Sequence, residues 1–470
     1  MKRWHDGILC MEGERRMRFF PALLLGKLLN LAINIIDKNR GSNFSGQWAM
    51  KLDPMMLKHF KGVDTSKVLF ITGTNGKSTT NNLVNHILRQ NGKTVVSNLE
   101  GANLIYGLAT SLIKASNIFG KVRADFFVFE TDERFLPLIC EQLSAENLLI
   151  TNLQKDQVQR NGDPDFIYRR IKNVVEGRGM RLFLNNEEPR AKSFDTYAKE
   201  VVSFGAGKHS ESFKKNGSYV TMACPKCHRK ITFEYYNNDG IGSFRCQNCG
   251  HSGSEKADYS VENTDFERRK FTLRGTEFRM PYDTPYMLYN YSAAVAVAEK
   301  FAGIAPEDAA KAFDTFKNVG GRFEILRYKG KTIKYMRIKQ ENPETLQTSI
   351  NVMASDTERK MVCLGLCPLV DLIPHYANTF YAYDCDFGKL IKSDVERYFC
   401  FSERVCYDTA NRLIYEGVDP SKIEVADTED VETIFRQIEN AQTDNIYLIT
   451  WLHTYEHMEK YIKKEGGINE

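Results

Sequence analysis

The hydrophobic positions in the first third of the chain predict buried strands that alternate with an amphipathic helix. Apolar residues run almost without interruption through residues 67–72, and again through "ADFFVFETDE" (124–133) and "NLLIT" (147–151). Such continuous runs are typical of strands that are covered on both faces. Residues 79–90 instead have the period of a helix, with one apolar face formed by Leu83, Val84, Ile87 and Leu88. This order predicts an α/β fold with a parallel-rich sheet.

A more apolar stretch, "FFPALLLGKLLNLAINII" (19–36), precedes these elements. Lys27, Asn30 and Asn34 interrupt it and no small-residue cleavage site is obvious, which argues against a membrane span or a signal peptide. Its apolar residues recur at helical spacing, namely Leu24, Leu25, Leu28, Leu31, Ala32 and Ile35. We predict a packed amphipathic helix in a cytoplasmic protein, and the alternative is peripheral contact with the inner membrane face. Residues 1–16 are mostly polar, so Met17 is an alternative start.

Length and charge exclude several classes of protein. A chain of 470 residues is long enough for roughly two to four domains. Its 64 basic and 60 acidic residues leave a formal charge of only +4, whereas a dedicated nucleic-acid binder usually has a marked basic excess. Eleven cysteines in a chain of this length do not indicate a small disulfide-stapled scaffold.

The segment "ITGTNGKSTT" (71–80) lies between the first predicted strand and the helix, where backbone N–H groups and a helix N-terminus can hold phosphate. It departs from the common phosphate-loop spacing, because position 71 is Ile and the first glycine is Gly73. We expect Lys77 to neutralise the outer phosphates of ATP and Ser78 to offer a hydroxyl to Mg²⁺. The alternative is an ordinary turn before a helix. The predicted nucleotide-binding residues of the loop are Gly73, Thr74, Asn75, Gly76, Lys77, Ser78 and Thr79.

Carboxylates follow the second predicted strand, at the sheet edge where ligands bind in open α/β sheets. Glu130, Asp132 and Glu133 lie there, and Glu130 is our candidate second ligand for Mg²⁺. The alternative is a solvated acidic loop. The next strand ends in "TNLQKDQ" (151–157), which brings Asn152 to the same edge.

Four of the cysteines form two C-x-x-C pairs, in "CPKCHRK" (224–230) and "FRCQNCGH" (244–251). A separation of 18 residues between the pairs is within the range of zinc ribbons. Four thiolates close a tetrahedral zinc site and leave no open position for catalysis, so we predict a structural zinc. The alternatives are two redox pairs or free core cysteines. The predicted ligands are Cys224, Cys227, Cys246 and Cys249.

Several of these segments resemble motifs of the Mur ligases, the ATP-dependent amide-forming enzymes of peptidoglycan synthesis. The motifs occur in family order as "GTNGKS", "ETDE", "TNLQKDQ", "LNNEEP" (184–189), "YNYSAAVAVA" (289–298) and "GRFE" (321–324). The zinc ribbon and the short lead-in before the loop resemble the MurT branch, which supplies a subunit of lipid II isoglutaminyl synthase. The resemblance implies a helical lead-in (1–65), a central ATP-binding domain (66–317) with the ribbon inserted (207–256), and a C-terminal Rossmann-like MurT-type domain (318–470).

The resemblance also implies an activity and a partner. MurT-type enzymes use ATP to activate the α-carboxylate of D-isoglutamate in the lipid II stem peptide, and ammonia from a GatD-type glutaminase displaces the phosphate. By analogy, Arg322 would offset phosphate charge beside Lys77, and Asn290 would contact the adenine side. The segment "LCPLVDLIPHYAN" (366–378) departs from the family pattern for the acidic residue that completes the glutaminase triad, which leaves Asp371 and the register-matched Asn378 as candidates. This departure keeps open a MurT-like paralogue that modifies another carboxylate without a glutaminase.

Overall fold

The computed structural model of the chain describes residues 18–33, 43–99, 102–154, 164–214, 222–238, 240–253, 256–316, 323–338, 342–366, 380–402, 405–466 and 468–469. The chain divides into two compact units, the first built mostly from residues before Val319 and the second mostly from residues after it. Each unit has its own sheet. Within the described ranges, no helix combines the length and the apolar character that crossing a membrane requires.

The first unit contains a nine-stranded sheet. Its strands are β1 (Val68–Thr72), β2 (Val95–Ser97), β3 (Phe126–Glu130), β4 (Asn147–Ile150), β5 (Arg181–Asn185), β6 (Glu200–Gly205), β9 (Tyr259–Asp265), β10 (Lys270–Leu273) and β11 (Thr276–Arg279). They lie in the order β11-β10-β9-β6-β5-β4-β1-β3-β2. Neighbours are parallel from β2 to β9, and β10 is antiparallel to both of its neighbours, β9 and β11. Because β3 and β4 lie on opposite sides of β1, the carboxyl end of β1 is the point where the strand order reverses.

Helices cover both faces of this sheet. Residues 18–33 are helical, and the other α-helices of the unit are Phe44–Leu52, Lys77–Gln90, Ile105–Ala115, Leu136–Gln142, Pro164–Val175, Pro189–Lys192, Met287–Ala302 and Pro306–Phe313. Short 3₁₀ turns lie at Met56–His59, Thr65–Lys67 and Ser193–Tyr197. The unit has a hydrophobic core on each face of the sheet. Val68 and Phe70 of β1 belong to one of these cores, and Leu69 and Ile71 belong to the other. Burial on both faces explains the continuous apolar run in the sequence.

The helix over residues 18–33 corrects part of our sequence interpretation. Its packed side is formed by Phe19, Ala22, Leu23 and Gly26, whereas Leu24, Leu28 and Leu31, which we assigned to the packed face, are exposed. The helix is apolar on two sides, so its periodicity alone could not decide which side packs. The Nζ atom of Lys27 donates to the carbonyl oxygen of Ile113 at 2.8 Å, which ties this helix to the end of helix Ile105–Ala115.

Two further strands, β7 (Ile231–Asn238) and β8 (Ile241–Cys246), form a separate antiparallel hairpin between β6 and β9. The second unit contains a seven-stranded sheet in the order β16-β15-β14-β17-β13-β12-β18. Its strands are β12 (Phe323–Tyr328), β13 (Lys331–Met336), β14 (Lys360–Leu364), β15 (Val395–Phe401), β16 (Ile423–Ala426), β17 (Asn445–Ile449) and β18 (Ile468–Asn469).

The five strands from β16 to β13 are parallel, and β12 and β18 extend the sheet with antiparallel pairs. The helices of the second unit are Pro343–Ser355, Gly388–Ile391, Cys406–Glu416, Val431–Glu439 and Leu452–Lys464, with 3₁₀ turns at Phe380–Ala382 and Pro420–Lys422. The strand order reverses between β14 and β17, as in Rossmann-like folds.

Candidate active site

The loop that follows β1 is built by two glycines in left-handed backbone conformations. Gly73 has a φ of 124° and Gly76 a φ of 84°. A Cβ atom at Gly73 would come within 2.3 Å of Thr151 Oγ1 and 2.7 Å of the Asn152 carbonyl oxygen, so the loop backbone is pressed against the end of β4. Gly76 then caps the N-terminus of helix Lys77–Gln90. The loop therefore presents a helix N-terminus at the carboxyl edge of the sheet, as a phosphate site requires.

Lys77 is buried inside this loop. Its ammonium donates to the carbonyl oxygens of Gly73 and Thr74, the latter at 3.1 Å, and lies 3.2 Å from Glu133 Oε2. Only 7% of Lys77 and 3% of Glu133 is exposed. We predicted from the sequence that Lys77 neutralises phosphate charge. In the structure, two carbonyl oxygens of the loop and a buried carboxylate hold its ammonium group at the loop. Ser78, at the start of the helix, is exposed to solvent.

Asn152 clamps the loop from the strand next to β1. Its side-chain Oδ1 accepts from the backbone N–H of Asn75 at 3.0 Å, and its Nδ2 donates to the carbonyl oxygen of Asn75 at 3.1 Å. Its own carbonyl oxygen accepts from the backbone N–H of Thr74 at 2.8 Å. The Thr74 hydroxyl is bound in turn by the backbone of Gln154. These contacts fix the loop conformation through hydrogen bonds to neighbouring protein groups.

The carboxylates after β3 have different environments. Glu130 is 3% exposed, and its Oε1 accepts from Asn103 Nδ2 at 3.2 Å. Asn98 holds the backbone of Glu130 through bonds of 2.9 and 2.8 Å. Asp132 is engaged by Arg134, whose Nε and Nη2 donate at 2.9 and 2.7 Å. Burial raises the pKa of Asp132, but the bonds from Arg134 outweigh burial and the net shift is downward. Asp132 is thus held by its own loop.

Asn290 lies beneath the loop, on helix Met287–Ala302. Its Oδ1 atom accepts from the Thr80 hydroxyl at 3.2 Å and would be 2.4 Å from a Cβ atom at Gly76. Any side chain at Gly76 would therefore collide with Asn290. The contact with the adenine side that we assigned to Asn290 stays a prediction.

A further buried carboxylate, Glu187, was not singled out from the sequence. It lies just after β5 and accepts from the backbone N–H of Gly207 at 2.7 Å, from the Tyr289 hydroxyl at 2.5 Å and from Asn237 Nδ2 at 2.9 Å. Burial raises the pKa of Glu187 and also that of Tyr289. The sequence does contain a feature that could have indicated Glu187, because the acidic pair in "LNNEEP" comes just after a buried strand. Glu188, the other member, accepts from the backbone of Leu153 at 3.2 Å and so supports the segment beside Asn152.

His209 follows the Gly207 turn and is also buried. Its ring packs edge-on against Phe266, with centroids 5.5 Å apart, and neither ring nitrogen has a hydrogen-bond partner among the residues that the structure describes. Burial without a partner lowers the pKa of His209 to about 4. The imidazole is therefore neutral at physiological pH.

The four predicted zinc ligands are brought together at one end of the β7–β8 hairpin. The Sγ atoms of Cys224, Cys227, Cys246 and Cys249 all lie within 4.8 Å of one another. Cys224 and Cys249 are 3.6 Å apart, and Cys227 and Cys246 are 3.4 Å apart. A tetrahedral zinc with Zn–S bonds of about 2.3 Å needs sulfur atoms about 3.8 Å apart, so the donor set fits this ion.

The two cysteine pairs have the same backbone geometry. The residue after each second cysteine is left-handed, with a φ of 59° at His228 and 72° at Gly250. Its N–H donates to the carbonyl oxygen of the first cysteine, at 2.8 Å for Cys224 and 3.0 Å for Cys246. Each turn therefore aims its two thiols at one point.

Three predicted site residues, Arg322, Asp371 and Asn378, lie outside the described residues, and their roles stay predictions. In the sequence, Asp371 and Asn378 come after β14, which ends at Leu364.

Comparisons with known proteins decide the family. Residues 71–298 match the family model of the Mur ligase middle domain, and residues 340–458 match that of the MurT ligase C-terminal domain. The chain belongs to the Mur ligase family. Mur ligases are ATP-dependent ligases, so the predicted enzyme class and the predicted α/β fold are confirmed, and the chain is a ligase of peptidoglycan synthesis.

Individual relatives agree with this assignment. The lipid II isoglutaminyl synthase (glutamine-hydrolyzing) subunit MurT of Staphylococcus aureus strain COL is 28% identical over 81% of this chain and 84% of its own length. The corresponding subunit of Streptococcus pneumoniae R6 is 27% identical over 91% of this chain and 93% of its own length. A pseudomurein peptide ligase type C from Methanothermus fervidus shares the fold, with a TM-score of 0.64 and 18% identity over 86% of this chain and 79% of its own. Both bacterial relatives are named as subunits, which implies a partner.

Proposed function

We propose that this Mur ligase uses ATP to amidate the α-carboxylate of D-isoglutamate in the stem peptide of lipid II, with ammonia supplied by a GatD-type glutaminase. The observation that carries the proposal is the position of Lys77. Its ammonium is held in a glycine-built loop at the carboxyl end of β1, 3.2 Å from the buried carboxylate of Glu133. This arrangement suits the transfer of a phosphoryl group to an acidic substrate, and two relatives with the MurT name cover most of the chain.

In the proposed reaction, a carboxylate oxygen of the substrate attacks the γ-phosphorus of ATP, and ADP leaves with the electrons of the broken P–O bond. Ammonia then attacks the carbonyl carbon of the acyl phosphate, loses a proton, and displaces inorganic phosphate. Lys77 and the N–H groups of the loop would offset the negative charge on the transferring group. The side chain of Asn152 is hydrogen-bonded to both the backbone N–H and the carbonyl oxygen of Asn75. These two bonds hold the loop backbone in place and would keep its N–H groups oriented toward the phosphates.

The residues present also fit a magnesium ion. Ser78 offers an exposed hydroxyl at the start of the helix, and Glu130 offers a carboxylate whose position is fixed by Asn98 and Asn103. Oxygen ligands of this kind suit Mg²⁺, which is usually held by one or two protein groups together with phosphate oxygens. When bound, the ion would neutralise charge that develops on the phosphates. We propose Ser78 and Glu130 as its protein ligands.

We propose that the four clustered cysteines hold a structural zinc ion. Thiolates are the ligands that zinc prefers, and four of them leave no position for a water molecule or a substrate. The hairpin that carries the zinc ligands also carries Asn237, which donates to Glu187 at 2.9 Å. The ion would therefore hold the hairpin, and through Asn237 the polar cluster around Glu187, in place.

The ammonia would come from the partner glutaminase, whose catalytic triad this chain would complete. A cysteine–histidine pair in a partner glutaminase needs an acidic residue to orient its imidazole. Strand β14 ends at Leu364, where the strand order of the second sheet reverses and where ligands bind in this class of fold, and Asp371 comes seven residues later in the sequence. We propose Asp371 for the role, because Asn378 could accept a hydrogen bond but could not stabilise an imidazolium by charge.

The test is to purify the chain alone and together with a GatD-type protein encoded beside it, and to supply ATP with either glutamine or ammonium chloride. Mass spectrometry of the lipid II stem peptide should show replacement of a hydroxyl by an amino group. Glutamine should support the reaction only when the partner is present. Amidation of another carboxylate substrate, with no complex formed, would favour the MurT-like paralogue instead.

The same assay tests the role of Asp371. In the complex, Asp371→Asn should abolish glutamate release and leave the ammonium-dependent reaction unchanged, whereas Asn378→Ala should have little effect on either. Full glutaminase activity in Asp371→Asn, with the complex intact, would reject the assignment. Arg322→Ala should slow ATP turnover with either nitrogen source, since its predicted role is in phosphoryl transfer.

A further inference from the structure

The helix over residues 18–33 is apolar on two opposite sides. Phe19, Leu23 and Gly26 face the protein, whereas Leu24, Leu28 and Leu31 on the other side are 59%, 55% and 62% exposed. Phe20, one turn before Leu24, is 50% exposed and extends this outer row. A helix that is apolar all round is normally surrounded by protein or by lipid. The described part of the chain covers only its inner side.

The neighbouring helix, Phe44–Leu52, repeats this pattern. Its inner side packs through Ala49, next to Gly26 of the first helix, while Phe44, Trp48 and Leu52 are each more than two-fifths exposed. The rings of Phe44 and Trp48 are 6.2 Å apart, and the ammonium of Lys51 lies 3.8 Å from the centre of the Trp48 ring. An aromatic side chain paired with a lysine is typical of residues at the boundary between lipid and water.

A short turn adds two more apolar side chains. Ile118 and Phe119 are 69% and 65% exposed, at the tip of a turn in which Asn117 Oδ1 accepts from the N–H groups of Phe119 and Lys121 at 2.9 Å each. Gly120 of this turn packs against the ring of Phe19. The turn is therefore fixed beside the first helix. We call the exposed apolar residues of the two helices and this turn the apolar patch.

The segments that contain the apolar patch, together with the residues that flank it, have an excess of basic residues. Residues 18–33, 43–62 and 102–123 contain eight Lys or Arg and a single carboxylate, Asp53, which is buried and lies 2.6 Å from His59 Nδ1. The whole chain is nearly balanced, with 64 basic and 60 acidic residues, so this excess is local. A local excess of positive charge in segments that expose apolar and aromatic side chains is complementary to the surface of a bilayer that contains anionic lipid.

We infer that the apolar patch binds the surface of an anionic membrane, with both helices lying in the interface plane. This inference rests partly on the proposed function, because a lipid-linked substrate would be met at such a surface. It goes beyond that function by assigning the membrane contact to residues outside the ATP loop. Binding to vesicles that contain no substrate tests it separately from the ligase reaction.

The experiment is flotation of the full chain, with its partner if a complex forms, on phosphatidylcholine vesicles with and without phosphatidylglycerol. The wild type should float with the anionic vesicles and bind the neutral vesicles weakly, and raising the salt from about 0.1 M to about 1 M should weaken the anionic binding. Leu24→Gln with Leu28→Gln should reduce binding by about tenfold or more, since two leucines would no longer enter the lipid. Both side chains are exposed, so the fold should be retained, which the melting temperature checks.

The matched control is Ile414→Gln with Tyr415→Gln, two exposed apolar residues of the second unit, and it should bind like the wild type. The Leu24 and Leu28 variant should still amidate a detergent-solubilised substrate, so a failure of the ligase proposal would leave the vesicle result intact. Absence of wild-type binding to anionic vesicles, or equal binding by the Leu24 and Leu28 variant, would overturn the inference. So would a wild-type dimer in light scattering that the same variant dissociates, because a second copy of the chain would then cover the apolar patch.

Discussion

The loop after β1 and the two cysteine turns of the hairpin both use left-handed residues to place polar groups around a binding space, but they differ in how those groups are satisfied. In the loop, Lys77 contacts two carbonyl oxygens and the carboxylate of Glu133, and Asn152 binds the backbone of Asn75. In the hairpin, the four cysteine side chains face one another, with Sγ–Sγ distances down to 3.4 Å, and no Lys or Arg side chain is among the groups that bring them together. The charge of Lys77 is therefore balanced within the protein, whereas we expect the four cysteines to need a bound metal ion to balance theirs.

This difference predicts different responses to loss of a ligand. A loop that is already hydrogen-bonded can keep its shape without nucleotide, so ATP binding requires little ordering of the chain. A cluster of thiolates without a cation repels itself, and in small zinc sites metal binding supplies much of the free energy of folding. We therefore expect the cysteine hairpin to be ordered by its metal, and the ATP loop to be ordered by its protein neighbours.

The largest effect should come from removing zinc. Zinc binding to structural sites contributes about 10 kcal/mol or more to folding of the local unit, so a chelator or Cys246→Ser should expose the β7–β8 hairpin to rapid hydrogen exchange. ATP turnover should persist, because the thiols lie outside the loop. Elemental analysis should find one zinc per wild-type chain and a loss in Cys246→Ser, while Cys140→Ser, at a buried cysteine outside the cluster, should keep its zinc. Under about half an equivalent in the wild type, with no further loss in Cys246→Ser, would contradict a zinc site.

Lys77→Ala should have the next largest effect. It removes the only positive side chain that the structure places inside the described loop, and the loss should be about 10²-fold or more in ATP turnover, or about 3 kcal/mol. Steady-state assays of ADP release measure this, with the exposed Lys199→Ala as the control. Retained turnover in Lys77→Ala would refute the assignment of the loop. It would also mean that the charge of Lys77 does not matter to the loop in the way that we expect a metal ion to matter to the cysteine hairpin.

A smaller effect is expected from pH, through His209. Its pKa is lowered to about 4 by burial, so the unfolded chain binds more protons than the folded chain between that value and about 6.5, and stability falls as the pH falls through this window. The loss at pH 5 relative to pH 7.5 should be about 2 kcal/mol. Urea denaturation at the two pH values measures it, and His209→Phe should flatten the dependence. An unchanged dependence in that variant would show that other groups cause it.

The sequence was informative where function depends on local order along the chain. The buried strand before the loop, the loop itself and the cysteine pairs are each contained in fewer than about ten consecutive residues, and short-range periodicity and spacing suffice to find such features. The structure has the strand at Val68–Thr72 and the helix at Lys77–Gln90, within two residues of the predicted segments. The structure also brings the four Sγ atoms within 4.8 Å of one another, as the spacing of the two cysteine pairs predicts.

The sequence was less informative where function depends on which distant segments become neighbours. Asn152 could be placed at the correct edge of the sheet, but its clamp on Asn75 requires β4 to lie directly beside β1, although β3 comes between them in the chain. The cluster around Glu187 joins β5, β7 and helix Met287–Ala302, and no local pattern predicts that meeting. The helix over residues 18–33 has two apolar sides, and its periodicity could not show which side packs.

The smallest effect that we predict tests the claim that protein neighbours order the ATP loop. Asn152→Ala removes both side-chain bonds to Asn75 and leaves the backbone bond to Thr74 in place. Two net hydrogen bonds are worth about 1–3 kcal/mol, part of which water would replace, so we expect the KM for ATP to rise by about tenfold with a smaller change in kcat. Steady-state kinetics measure both constants, and Asn173→Ala, at an exposed asparagine on helix Pro164–Val175, is the control. If KM is unchanged in Asn152→Ala, the remaining backbone bond and Lys77 hold the loop by themselves. If instead kcat falls as far as in Lys77→Ala, Asn152 acts on phosphoryl transfer itself, and the order of the loop is part of the chemistry.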